Sequence, residues 1–198
     1  KKIPGKEGYD STIKYFAEQI TKRDIELNLG TEVSIELLKK QKFDEVVIAT
    51  GVFPREIKID GIDHEKVKSY LEFFNSNQKL GNRIAIIGAG GIGFDTALYL
   101  LNQHIEPNND KKIVEFLKEW NIDQSLSTRG GLTETQKIYK KPAKEIYLLQ
   151  RSNKKVGSTL GKTTGWIHRK TLNNGNVNML NNVQYTKIDD QGLHININ

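Results

Sequence analysis

Residues 83–93 read RIAIIGAGGIG, and this stretch decides the fold. Four of its first five residues are apolar and three of them are isoleucine, a run of the kind that makes a buried strand. The residues after it, 88–93, fit the pattern G-x-G-x-x-G, and an amphipathic segment, 91–102, follows directly as a predicted helix. A strand, a glycine turn and a helix in this order form the context in which the pattern binds a dinucleotide. The stretch therefore predicts a Rossmann-like βαβ unit.

Each glycine of the pattern has its own physical reason. Gly88 permits a tight turn, Gly90 leaves room for a pyrophosphate beside the backbone, and Gly93 lets the helix pack closely on the strand. The N–H groups and the positive dipole end of the helix can then bind the phosphates. A glycine-rich turn without a ligand is the alternative. The turn residues predicted to contact the cofactor are Gly88, Ala89, Gly90, Gly91, Ile92 and Gly93.

The end of the next predicted strand, 145–150, indicates which dinucleotide binds. In NAD sites an acidic residue at this point holds the ribose hydroxyl groups. Here residues 150–155 read QRSNKK and contain no carboxylate. We predict that Arg151, Lys154 and Lys155 bind the 2′-phosphate of NADP(H), because each charge-assisted hydrogen bond contributes about 1.5–3 kcal/mol. A solvated basic loop is the alternative.

The remaining sequence predicts an α/β fold in two parts, 1–80 and 81–198, joined by a polar linker at 75–82. Arg151 follows Gly88 by 63 positions, whereas the usual unit is about 30 residues, so an insertion is expected at about 104–143. The other predicted helices are 9–23, 34–40, 66–75, 111–120 and 164–173. The other predicted strands are 25–29, the β-branched run 43–51 as a buried strand, 176–180, 183–188 and 192–197.

Composition narrows the functional classes. The chain of 198 residues has no cysteine, which excludes disulfides and cysteine-bound clusters within it, and its four histidines show no metal-ligand spacing. The net charge of +6 comes without a nucleic-acid motif, and an anionic cofactor accounts for it equally well. No apolar run is long enough to span a membrane, and a cytoplasmic location is expected. The first residues include no Met and no apolar signal region, and the last ones stop within an alternating strand pattern, so we expect a piece of a longer protein.

Four segments together resemble the bacterial NADPH-dependent 2,4-dienoyl-CoA reductases. The first is the glycine stretch extended to Ala97, which reads IAIIGAGGIGFDTA over 84–97. The others are DGIDH at 60–64, EWNID at 119–123 and GKTTGWIHR at 161–169. The resemblance covers nearly the whole chain, and it includes part of the expected insertion.

The resemblance implies a larger enzyme of fatty-acid β-oxidation. Such enzymes carry a flavin-binding (β/α)8 barrel with FMN and a 4Fe–4S cluster, followed by a disulfide-reductase-like region that binds FAD and NADPH. By resemblance, residues 1–80 are a partial FAD-binding segment, and residues 81–198 are the NADP(H)-binding domain. The missing barrel would be the partner, and a dienoyl-CoA would be the substrate. The resemblance also places three residues near FAD, Ala49, Thr50 and Gly51. A strand that merely ends at glycine is the alternative.

Hydride transfer between cofactors needs orientation and electrostatics from the protein, so no catalytic acid or base is expected in this chain. Two other functions stay open. One is a related barrel-fused amine dehydrogenase whose equivalent domain binds only ADP, against which the Arg151 cluster argues. The other is a non-enzymatic nucleotide-binding module.

Overall fold

The fold is that of a computed structural model of the chain, and it consists of two compact units, Gly5–Ile57 and Lys58–Asn198. The division predicted between residues 80 and 81, at the polar linker, stays a prediction. Parts of the predicted linker and insertion, 77–78, 103–108 and 134–142, lie outside the described residues. The structure describes residues 3, 5–6, 8–76, 79–102, 109–133 and 143–197.

The first unit contains two helices, α1 (Tyr9–Lys22) and α2 (Ile35–Gln41). Both were predicted from the sequence. The hydroxyl oxygen of Ser34 accepts a hydrogen bond from the backbone N–H of Leu37, which caps the start of α2. Lys42 then adopts the left-handed conformation, with φ of 52°, and ends the helix.

The strand predicted at residues 43–51 is absent, and that prediction was wrong. The segment is irregular, and the side chains of Val47 and Ile48 are 87% and 83% exposed. A strand is stabilised by backbone hydrogen bonds to a neighbouring strand, and no segment of the described residues pairs with this run. Residues 25–29 are irregular for the same reason. A β-branched run therefore indicates a preference for pairing without supplying the partner.

The second unit follows the predicted order of strands and helices. Ser69 and Glu72 form a capping box at the start of its first helix, because each side chain accepts a hydrogen bond from the other's backbone N–H. The elements are α3 (Tyr70–Asn75), β1 (Arg83–Ile87), α4 (Gly91–Asn102), α5 (Asn109–Glu119), a 3-10 helix (Arg129–Gly131), β2 (Glu145–Leu149), α6 (Gly165–Asn174), β3 (Asn178–Leu180), β4 (Val183–Asp189) and β5 (Gly192–Ile197).

The sheet that carries the predicted site is parallel, in the order β1-β2-β3, and a separate antiparallel pair is formed by β4 and β5. Helix α4 follows β1 and packs against β1, β2 and α6. The core between these elements is apolar and closely packed. Its fully buried side chains include Phe94 and Ala97 from α4, Leu148 from β2 and Leu172 from α6. Among the residues that the structure describes, no helix has both the length and the apolar character to cross a membrane.

The described part of the insertion ends in a turn built around one carboxylate, Asp123. Its Oδ1 accepts hydrogen bonds from the backbone N–H and the hydroxyl of Ser125, at 3.0 and 2.6 Å. Its Oδ2 accepts bonds from the Ser127 hydroxyl at 2.8 Å and from the backbone N–H of Thr128 at 3.1 Å. These donors stabilise the ionised form, so the serine hydroxyls chiefly, with the backbone N–H groups, hold the pKa of Asp123 far below its usual value.

We expect Asp123→Asn to destabilise the fold at neutral pH, because an amide cannot accept all of these bonds. A depressed carboxyl pKa contributes stability that is fully present above the unfolded pKa of about 3.9 and is lost as the pH falls through the folded pKa. The gap in unfolding temperature between wild type and variant should therefore be largest near pH 7 and shrink as the pH falls below about 4. A gap that does not change with pH would contradict this account of the turn.

Candidate functional site

The loop between β1 and α4 adopts the conformation that the glycine pattern predicted. Gly88 has φ of +105°, in the region that disfavours residues with a side chain. Its backbone N–H donates a hydrogen bond of 2.9 Å to the carbonyl oxygen of Leu149, the last residue of β2. The turn is therefore fixed to the neighbouring strand as well as to its own.

Gly93 lies where the helix comes closest to this turn. A Cβ atom at Gly93 would lie 1.9 Å from the carbonyl oxygen of Gly88 and 3.2 Å from Cδ1 of Leu148. The first contact is with backbone, which cannot move aside without opening the turn. Close packing of helix on strand at this glycine was predicted, and the geometry agrees with it.

The middle of the loop has the opposite character. A Cβ atom at Gly90 or Gly91 would meet no atom within 4 Å, so open space lies beside the backbone there. The N–H of Phe94 bonds to the carbonyl oxygen of Gly90 at 3.1 Å, and the N–H groups before it have no acceptor within the helix. Open space next to a helix N-terminus fits a diphosphate. Ala89 is buried and Ile92 is half exposed.

The sheet register brings the second predicted part of the site to the same edge. Ile87 pairs with Leu149, so β1 and β2 end side by side, and the loops that follow them are neighbours. The basic side chains of the second loop, Arg151, Lys154 and Lys155, are all exposed. The 63 positions between Gly88 and Arg151 thus separate two loops that leave the same edge of the sheet.

Arg151 also lies close to the next strand pair. Burial raises the pKa of the Tyr185 hydroxyl on β4, and the positive charge of Arg151 partly offsets that effect. No acidic residue occurs within residues 150–155. The local charge at the end of β2 is therefore positive, which suits a phosphate and leaves no carboxylate for a ribose hydroxyl.

The predicted FAD-side residues are in the other unit. Ala49, Thr50 and Gly51 lie in exposed, irregular chain, and Gly51 has φ of +76°. Their proposed position beside FAD stays a prediction.

Sequence reasoning missed a contact that supports the glycine loop from behind. Gly157 has φ of +74°, and a Cβ atom there would lie 2.6 Å from Cζ of Phe94, the residue that follows Gly93 in α4. Nη1 of Arg169 donates a bond of 2.9 Å to the carbonyl oxygen of Gly157. The only signal in the sequence is an isolated glycine beside Val156, which does not reveal its distant neighbour.

A sequence profile of the family described as pyridine nucleotide-disulphide oxidoreductase matches residues 7–197. The chain belongs to this family. The predicted fold class, an α/β Rossmann-like FAD/NAD(P) fold, is confirmed by this membership and by the structural match described next. The family assignment also supports the coarser part of the resemblance, an oxidoreductase region that binds FAD and a nicotinamide dinucleotide.

Relatives of this pyridine nucleotide-disulphide oxidoreductase chain are named as reductases. It is 34% identical over 91 residues to cinnamate reductase of Clostridium sporogenes, covering 46% of this chain and 13% of that protein. It is 25% identical over 194 residues to metal reductase of Desulforamulus reducens, covering 96% of this chain and 27% of that protein. A solved complex of 2-naphthoyl-CoA reductase with 2-naphthoyl-CoA matches with a TM-score of 0.70 and 26% identity, over 99% of this chain and 24% of that one. The chain spans about a quarter of the length of the last two.

Proposed function

We propose that the loops after β1 and β2 form an NADP(H) site in an oxidoreductase, and that the site orients NADPH for hydride transfer to FAD. The observation that carries the proposal is the pairing of Ile87 with Leu149, which sets the glycine loop beside the basic loop. One loop offers open space and free helix N–H groups. The other offers three exposed cations and no carboxylate.

In this proposal each part of the chain has a separate task. The N–H groups at the start of α4 bind the diphosphate, and Gly90 leaves the space that it needs. Arg151 binds the 2′-phosphate with help from Lys154 and Lys155, because a planar guanidinium matches a phosphate better than an ammonium group does. Bound NADPH would supply the hydride, and these residues contribute binding and orientation.

On the basis of the resemblance, we also propose that this chain is part of a longer enzyme. There the electrons would continue from FAD through a 4Fe–4S cluster to FMN in a flavin barrel, and a 2,4-dienoyl-CoA would be reduced. The relatives named above are cinnamate, metal and 2-naphthoyl-CoA reductases, which supports a reductase and leaves its acceptor to be measured. We expect NADPH consumption by the full-length protein to be faster with 2,4-dienoyl-CoA than with cinnamate or 2-naphthoyl-CoA, and a reversed order would contradict this acceptor.

Isothermal titration calorimetry with NADPH, NADH and ADP tests the cofactor. We expect NADPH to bind at least about tenfold more tightly than NADH, since one charge-assisted bond to the 2′-phosphate is sufficient for that difference. Equal affinity for all three ligands would contradict the NADP(H) site. It would favour the ADP-binding domain of an amine dehydrogenase.

A further inference from the structure

Gln150 occupies the position between β2 and the basic loop, immediately before Arg151. Its side-chain amide donates two hydrogen bonds into the loop. The acceptors are the carbonyl oxygen of Ser152 at 3.1 Å and that of Lys154 at 2.8 Å. Gln150 is partly buried, while the five residues after it are exposed. The Gln150 side chain, at the start of the loop, thus fixes two peptide groups of the loop by hydrogen bonds.

The connection between β3 and β4 supplies a second set of bonds to the same loop. The side-chain amide of Asn181 donates to the carbonyl oxygen of Asn153 at 2.9 Å. The backbone N–H of Asn182 donates to the carbonyl oxygen of Ser152 at 3.0 Å. Every carbonyl oxygen from Ser152 to Lys154 therefore accepts a bond from Gln150, Asn181 or Asn182.

These bonds have an electrostatic consequence for an anion at the loop. A carbonyl oxygen carries partial negative charge, and one that was free to turn toward a phosphate would oppose its binding. Here three successive carbonyls are held by donors from the protein, and the cationic side chains of Arg151 and Lys154 are exposed. Fixing the loop before binding also reduces the conformational entropy that binding would otherwise cost.

We infer that Gln150 and Asn181 are positioning residues that determine the preference for NADP(H) over NAD(H), acting through the loop without touching the cofactor. The inference rests on the proposed NADP(H) site. It assigns a specificity role to two uncharged amides, whereas charge alone would assign specificity only to Arg151 and the lysines. Removing either amide is expected to weaken NADPH binding selectively. Without these bonds the loop is less ordered, which weakens binding of the 2′-phosphate and leaves the rest of the dinucleotide site intact.

The test is Gln150→Leu, which keeps the approximate size of the side chain and removes both donors. We expect its NADPH dissociation constant to rise roughly tenfold, since two neutral hydrogen bonds that order the loop are lost. We expect the NADH constant to change by less than about twofold, because NADH has no phosphate at this position. Calorimetry on the purified protein measures both constants.

Gln184→Leu is the matched control, because Gln184 is exposed on β4 and should leave both dissociation constants unchanged. Asn181→Ala is the second variant, and it decides the question if Gln150→Leu does not fold. A selective loss of NADPH affinity in either variant supports the inference. The inference would be overturned if every folded variant lost affinity for NADPH and NADH equally, or lost affinity for neither, while Arg151→Ala still weakened NADPH binding selectively. If wild type shows no preference for NADPH, the proposed function fails and this inference fails with it.

Discussion

Replacing Arg151 with alanine is expected to weaken NADPH binding by about 10- to 100-fold and NADH binding by less than about threefold. A charge-assisted hydrogen bond contributes about 1.5–3 kcal/mol, and each 1.4 kcal/mol corresponds to a tenfold change in affinity. Only NADPH carries the phosphate that would accept such a bond. Arg151 is exposed at the end of β2, beside the loop that starts at Gly88, so its removal leaves the fold and the diphosphate site unchanged.

Arg129→Ala serves as the matched control for this measurement. Arg129 is also exposed, but it lies in the 3-10 helix after α5, and its removal changes the net charge of the protein by the same amount. We expect its NADPH affinity to equal that of wild type. A similar loss for NADPH and NADH in Arg151→Ala would show that the 2′-phosphate binds elsewhere. If Arg129→Ala lost as much NADPH affinity as Arg151→Ala, the effect would be explained by the net charge of the protein alone.

The second unit was predictable because its signals are local. An apolar run followed by glycines and an amphipathic segment defines β1, the turn and α4 within residues 83–102, and the structure places all three there. The run at 43–51 carries an equally strong local signal. It failed as a prediction because a strand also needs a partner, and partners are supplied by distant residues that no local pattern shows.

The same distinction between local and distant signals applies to the candidate site. The residue types at Gly88 to Gly93 and at Arg151 could be selected from the sequence, because each must meet a chemical requirement of the ligand. Their proximity could not be derived from spacing, since an insertion separates them, and only the register of β1 with β2 shows it. The amide bonds from Gln150 and Asn181 were also inaccessible. They depend on where each side-chain amide meets the backbone carbonyl oxygens of the loop at residues 152–154.

Two alanine substitutions in the glycine loop are expected to have different effects although the change is chemically identical. Gly90→Ala should fold like wild type, because its Cβ meets no atom within 4 Å. It should nevertheless weaken NADPH binding at least roughly tenfold, because the methyl group takes space that the diphosphate needs. Gly93→Ala should lose about 3 kcal/mol of folding stability, because its Cβ would lie 1.9 Å from the carbonyl oxygen of Gly88.

Urea unfolding followed by circular dichroism measures the stability of both variants, and calorimetry measures their NADPH affinity. The pair separates two roles that a single glycine motif combines, since Gly90 would act only when ligand is present and Gly93 acts in the folded chain itself. Equal stability loss in both variants would mean that the open space at Gly90 is needed for folding. Unchanged NADPH affinity in Gly90→Ala would mean that the diphosphate does not approach this loop, and the site proposed at the end of β1 would then be wrong even if Arg151 binds a phosphate.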